Sequence, residues 1–306
     1  MAVDKARINK FVSLVLLVVL GIFGLVLLLQ LAAVFFGPSK SACSKQVCLS
    51  RFLEGPPAFN NDVLANYLRT NYYTPPSGQL KLSGINGRDE KFNNLLNFIK
   101  DFFKNKHGGT FVDLGAGDGE YKSLTLDLEQ SLGWTGLLIE PHEELYKRLL
   151  KKGRNSQSAK VCVSPFAYPT KLKFGHPAAT SLNEEEMLIT MGQNKMKQLM
   201  EDVKDPEVHD SQCMPLENLI YAAGITTPFD LLVLDMAGTD LDVLISAKLE
   251  QIPEFEMIVL HSNGASIGND VSGYFLERNM VVKKVFGDNP KEVTYALVKF
   301  DAKRDL

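Results

Sequence analysis

The stretch Phe111-Val112-Asp113-Leu114-Gly115-Ala116-Gly117-Asp118-Gly119-Glu120 constrains the fold of this chain more than any other segment. An apolar run ends in an acid, passes through glycines at two-residue spacing, and leads into a helix-forming sequence. Glycine takes positive φ without penalty and lets a ligand approach the backbone, while a helix N-terminus beyond it presents unpaired N–H groups. Such a strand, turn and helix belong to the first βα unit of an open α/β sheet. The remainder of the chain agrees. Strand-like runs at Thr110–Leu114, Gly136–Ile139, Ala159–Val163, Asp230–Leu234 and Glu256–Leu260 alternate with helical patterns at Glu120–Leu132, Glu143–Lys151, Leu216–Ala223, Leu241–Leu249 and Val271–Asn279. Phe92, Leu95, Leu96, Ile99, Phe102 and Phe103 recur at helical spacing and place a further helix over Asp89–Lys104. Alternation of this kind implies right-handed βαβ units on a mostly parallel sheet.

The C-terminus departs from that rule. Val281–Phe286 and Glu292–Phe300 are strand-like and are joined by Gly287-Asp288-Asn289-Pro290, too short for a helical crossover. Strands joined so closely run antiparallel. A parallel sheet finished by an antiparallel hairpin is the S-adenosylmethionine (SAM) methyltransferase arrangement, a three-layer α/β/α Rossmann-like fold, and not the all-parallel dinucleotide fold. The glycine spacing agrees, because Glu120 stands where the dinucleotide fingerprint carries its last glycine. Asp113, Asp118 and Glu120 make the turn acidic. Each carboxylate near 4 Å would repel a pyrophosphate by about 1–4 kcal/mol. A ligand carrying an ammonium and a sulfonium suits such a turn, and SAM is one.

Glu140 ends the second strand, about twenty residues past the turn, where an acid accepts hydrogen bonds from ribose hydroxyls; it equally suits a cap on the helix starting near His142. Asp235 ends the fourth strand in Leu234-Asp235-Met236-Ala237-Gly238-Thr239-Asp240, facing the cleft, while Asp240 reads as a helix cap. His261 ends the fifth strand and is either a base near neutral pH or a hydrogen-bonded structural residue. Asp235 and His261 are the candidate catalytic residues. Cysteine spacing gives no zinc site, since neither Cys43 and Cys48 nor Cys162 and Cys213 form a C-x-x-C pair, and no metal is expected. The formal net charge of -3, with no basic stripe, gives no electrostatic case for nucleic acid.

A second feature concerns the N-terminus. Phe11 to Phe36 carries no charge and is interrupted only by Ser13 and Gln30 among polar residues. A helix of about 26 residues spans about 39 Å, enough to cross a bilayer core of about 30 Å. The competing reading, a cleaved signal peptide, normally has an apolar core of only about 7–15 residues. The expected layout is a tail at 1–10, a transmembrane anchor at 11–36, a Pro- and Gly-punctuated stem at 37–88 and the α/β domain at 89–306. Lys5, Arg7 and Lys10 crowd the N-terminal flank, which favours a cytosolic tail and a lumenal or extracellular domain, a type II single-pass arrangement. In that oxidising space Cys43 with Cys48, and Cys162 with Cys213, can pair; otherwise all are thiols. The absence of any Asn-X-Ser/Thr acceptor weighs against lumenal exposure. The polar segment Asn183–Lys204 reads as an inserted helical excursion.

Phe111 to Asn155, Lys160 to Pro165, Gln212 to Ile225 and Phe229 to Leu244 together resemble FkbM-type methyltransferase domains, and more narrowly the membrane-anchored Star and Star-like proteins of animals. The resemblance covers about Asp89 to Phe300. It implies SAM binding through Asp113, Gly115, Gly117, Gly119 and Glu140. It also implies a role as escort for membrane-protein cargo in the endoplasmic reticulum, Golgi and endosomes or at the plasma membrane, beside the alternative of an active O-methyltransferase on a sugar or small hydroxylated acceptor. Two departures bear on the choice: Ala237 replaces the Glu of the family's D-x-E-G pattern, and Leu260-His261-Ser262 stand where an acid is usual.

Overall fold

The computed structural model describes residue 16 and residues 18–25, 57–174, 188–189, 209–236, 239–262, 269–287 and 293–300. The chain divides into two compact units, Met1–Cys48 and Leu49–Leu306. In the first, residue 16 and residues 18–25 are helical with exposed apolar side chains, and the rest of the Phe11–Phe36 run lies outside the described residues. Among the described residues no helix is long and apolar enough to cross a membrane. Cys43 and Cys48 also lie outside them.

The second unit is built from α1 (Asp62–Tyr72), β1 (Tyr73–Thr74), α2 (Glu90–Phe102), β2 (Thr110–Leu114), α3 (Leu124–Leu132), β3 (Thr135–Ile139), α4 (Glu143–Lys152), β4 (Gln157–Ala159), β5 (Cys162–Val163), β6 (Thr170–Phe174), β7 (Leu188–Ile189), β8 (His209–Met214), α5 (Leu216–Ala222), β9 (Phe229–Leu234), α6 (Asp240–Ser246), β10 (Phe255–Ser262), α7 (Asn269–Glu277), β11 (Met280–Phe286) and β12 (Val293–Lys299). The main sheet has the order β1-β4-β3-β2-β9-β10-β12-β11. Neighbours from β4 to β10 are parallel, while β12 runs antiparallel to both β10 and β11. Counting the core strands along the chain, the order is third, second, first, fourth, fifth, seventh and sixth, with the last strand reversed. That is the methyltransferase form of the Rossmann-like sheet, with the order reversing between β2 and β9.

Both faces of the sheet are covered, which is why β2 and β9 are buried along nearly their whole length. On one face α2, α3 and α4 bring Leu95, Ile99, Leu128 and Leu149 against Phe111, Leu138, Leu231 and Val259. On the other, α1, α5, α6 and α7 bring Leu68, Leu219, Val243 and Phe275 against Val112, Leu137, Leu232 and Ile258. The helices start where local chemistry caps them: Asn61 accepts from Leu64 N–H at 3.0 Å, and Asp89 from Phe92 N–H at 2.8 Å.

Four expectations change. The helix expected from Glu120 begins at Leu124, because Lys122 adopts φ 48 and Ser123 then caps the first turn. The strand expected over Ala159–Val163 splits. Only Ala159, the last residue of β4, stays beside β3, whereas β5 leaves to join a second sheet of order β5-β8-β6-β7. Within the segment read as an inserted helix, Leu188–Ile189 is a strand of that second sheet, and the remainder lies outside the described residues. Finally, the segment read as stem is packed into the domain from residue 57 onward. Arg69 Nε donates to the Ala222 carbonyl at 2.7 Å, β1 pairs antiparallel with β4, and Lys81 N–H donates to the Lys152 carbonyl at 2.8 Å.

Candidate functional site

Register places the site residues on one row. Ala159, Ile139, Leu114, Leu234 and Leu260 are paired across β4, β3, β2, β9 and β10. The next residue on each strand, at the carboxyl edge, is Lys160, Glu140, Gly115, Asp235 and His261. Neighbouring strands lie about 4.8 Å apart, so these residues form a continuous rim across the point where strand order reverses.

The glycine turn fits that rim closely. Gly115 takes φ 85, and a Cβ there would stand 2.1 Å from the Asp235 carbonyl oxygen. The amides of Gly115 and Ala116 both donate to the Ile139 carbonyl, at 2.9 and 3.0 Å. Gly117 takes φ 63 and donates its N–H to Glu140 Oε2 at 2.8 Å, while His142 N–H donates to Glu140 Oε1 at 2.8 Å. Glu140 is fully buried, so its carboxylate bridges the turns after β2 and β3. Its Oε1 thus holds the amide of His142, the residue that precedes α4. A carboxylate oxygen carries two lone pairs and can accept from more than one donor. At Gly119, with φ 77, a Cβ would press to 3.2 Å from Leu149 Cγ.

The acids of the turn divide. Asp113 is buried and accepts from Thr125 Oγ1 at 2.5 Å. Asp118 is turned inward, where Oδ1 accepts from the amides of Glu120 and Tyr121 at 3.0 and 2.8 Å. Glu120 faces away from the rim: Ser83 N–H and Oγ, Gly84 N–H and Lys152 Nζ all donate to it between 2.6 and 2.8 Å. Burial pushes its pKa up, but Lys152 and the Ser83 and Gly84 donors outweigh this and hold it at about 2. The expectation of an acidic turn turned toward a ligand is not met by Asp118 and Glu120, which hold the turn and the preceding chain together.

Asp235 and His261 are half-buried at the ends of adjacent parallel strands. His261 Nδ1 lies 2.8 Å from the buried Thr294 hydroxyl on β12. Asp240 is the first residue of α6 and accepts from Met236 N–H at 2.8 Å; it ties the loop after β9 to the helix instead of capping it, and Thr239 holds the N-cap position without a side-chain bond. Ala237 lies outside the described residues. A cavity of about 330 Å³ between Phe102, Lys106, Phe229, Asp230, Phe255 and Lys299 opens at the amino ends of β9 and β10, the edge opposite the glycine turn.

Sequence reasoning missed Arg154, Thr125 and Glu129. Arg154 is 3% exposed and donates to the Gly119 carbonyl at 2.7 Å, with Glu129 beside it at 3.3 Å. No local pattern marks it, since it sits among polar residues after the glycine that ends α4. The Cys162–Cys213 disulfide is formed, joining β5 to β8 where those residues are register partners.

No protein-family description and no curated protein matches the chain. Among solved structures it is similar to M. capricolum TrmK in complex with S-adenosyl-homocysteine, at 12% identity over 70% of this chain and 69% of that one, with a TM-score of 0.35. It is similar to the N-terminal domain of human METTL16 in complex with the same product, at 12% identity over 81% and 84%, with a TM-score of 0.36. A protein of the NADB-Rossmann superfamily from Streptococcus agalactiae matches at 12% identity over 69% and 68%, with a TM-score of 0.36.

Proposed function

We propose that the domain binds SAM at the carboxyl edge of its sheet and acts as a SAM-dependent O-methyltransferase on a sugar or small hydroxylated acceptor. One observation carries this reading: the Gly117 N–H is committed to the Glu140 carboxylate. In a dinucleotide site the amides of this turn hold a pyrophosphate. Here the amide is spent on a buried anion, and a second anion beside it would be repelled. A cationic nucleoside meets no such barrier, and Gly115, Gly117 and Gly119 leave alternate positions of the turn without a side chain.

Asp113, Gly115, Gly117, Gly119 and Glu140 would hold SAM, which supplies an electrophilic methyl on a sulfonium. Asp235 lines the acceptor side. Were Nδ1 the protonated nitrogen of His261, donating to Thr294, Nε2 would be the atom to take the acceptor hydroxyl proton. Calorimetric titration of the full chain with SAM tests the reading. Binding that weakens on Glu140→Ala and Asp113→Ala is expected; no heat at millimolar SAM would sink it.

A second reading has its own support in the Cys162–Cys213 disulfide, which favours an oxidising compartment. Together with the apolar run at 11–36 and its basic flank, it supports a type II single-pass protein of the endoplasmic reticulum, Golgi, endosomes or plasma membrane. There a Star-like, FkbM-type domain would escort membrane-protein cargo, away from the cytosol where SAM is made. Protease digestion of sealed microsomes separates the two. A protected domain that ignores SAM supports the escort, and a digested one removes it.

A further inference from the structure

We propose that Arg154 is a positioning residue for the glycine turn, acting on Asp113 through the hydroxyl of Thr125; this rests on reading that turn as the cofactor edge. Arg154 stands outside the rim, one residue past the left-handed Gly153 that ends α4. Its guanidinium is nonetheless buried, and a buried charge costs several kcal/mol unless it is paired; Nε meets no hydrogen-bond partner among the described residues, so the pairing rests on Glu129 and the two Nη groups. Its engagements converge on the turn. Nη1 donates to the Gly119 carbonyl at 2.7 Å and to Ser123 Oγ at 3.3 Å, and Nη2 donates to Thr125 Oγ1 at 3.3 Å. Glu129 supplies the countercharge at 3.3 Å, and is itself held by Asn155 N–H and Ser156 Oγ at 2.7 Å each.

The relay has a direction. Arginine has no acceptor, so the Thr125 oxygen must receive from Arg154 and its proton must go elsewhere. Asp113 Oδ2, at 2.5 Å, takes it. Arg154 thus orders a hydroxyl that fixes one oxygen of Asp113, and separately holds the carbonyl of Gly119 at the far end of the turn. The two ends of the turn are tied to one guanidinium on the chain between α4 and β4.

The test uses the full chain and four variants: Thr125→Val, Thr125→Ser, Arg154→Lys and Thr125→Val with Arg154→Lys. Losing the hydroxyl to Asp113 should weaken SAM binding about tenfold, the scale of one hydrogen bond to a charged group. Thr125→Ser should restore most of that affinity. The double variant should bind no worse than the weaker single one, because both changes cut the same relay. Amide exchange over 111–122 should quicken in Thr125→Val and Arg154→Lys. Unchanged affinity and unchanged exchange in both would overturn the proposal. If the unaltered chain takes up no SAM, the cofactor reading fails, and amide exchange alone then decides whether Arg154 holds the turn. Should Arg154→Lys not fold, Thr125→Val, which removes one hydroxyl and keeps the side chain's shape, decides in its place.

Discussion

Ser83 gives both its amide and its hydroxyl to the Glu120 carboxylate, at 2.8 and 2.7 Å, across thirty-seven residues of chain. Lys152 adds its ammonium at 2.6 Å, so the segment before α2 is latched to the glycine turn and to the end of α4. Burial works to raise the Glu120 pKa, and the surrounding donors bring it down to about 2, below the ordinary glutamate value of 4.5. A carboxylate with a depressed folded-state pKa contributes stability above its unfolded value and loses it as pH falls toward the folded one. The contribution is up to about 3 kcal/mol. Urea unfolding of the chain and of Glu120→Gln should therefore differ at neutral pH and converge as pH drops from about 4.5 to about 2. A constant difference across that range would show that the latch is not electrostatic.

The contact between Gly115 and the Asp235 carbonyl predicts a contrast between glycines. Gly115→Ala must place a Cβ 2.1 Å from a backbone oxygen while keeping φ at 85. Gly133 has a similar φ of 66 but open space around its missing Cβ. Gly133→Ala should cost only the left-handed penalty of about 1–2 kcal/mol, and Gly115→Ala more than about 3 kcal/mol. Chemical denaturation of both variants checks this; equal losses would mean the strand tips separate easily.

Reducing or removing the disulfide should loosen the second sheet. Cys162 and Cys213 close a loop of 51 residues, for which the chain-entropy relation gives about 4 kcal/mol. The double Cys162→Ser and Cys213→Ser variant should lose stability on that scale, and the unaltered chain should match it in the presence of reductant. A variant as stable as its parent would show that the bridge merely accompanies the β5–β8 pairing.

Glu217 offers the opposite pH sign to Glu120. It is 4% exposed, its Oε2 meets no hydrogen-bond partner among the described residues, and burial raises its pKa despite the nearby Lys248. The folded state then holds this proton more tightly than the unfolded state. Its contribution is favourable in acid and fades as pH rises from the unfolded pKa through the folded one. Glu217→Gln should accordingly raise stability at neutral pH by about 1 kcal/mol, with no gain in acid. Thermal unfolding of both chains at two pH values would reveal it, and a destabilised Gln variant at neutral pH would refute it.

Much of the sheet was legible because its signals are local. Thr110–Leu114 reads as a strand buried on both faces, and the short link after Phe286 forces the antiparallel pair seen between β11 and β12. The apolar pattern after the turn points to a helix from Glu120, four residues early, since nothing near Lys122 announces its left-handed backbone. Ala159–Val163 reads as one strand because apolar character does not say which sheet a residue will join. The packed segment from residue 57 looked like a stem, as prolines and glycines mark turns equally well on a surface or against a core.

The chain's own order of residues determined the alternation of strands and helices, the glycine turn and the acid that ends β3, because backbone propensity and side-chain spacing act over a few positions. Only the folded molecule decided what each charge would meet. Glu140 reaches Gly117 across twenty-three residues, and Arg154 reaches Gly119 across thirty-five. A buried charge must find its partner wherever packing brings one within hydrogen-bond distance, and that distance is a property of the tertiary fold alone.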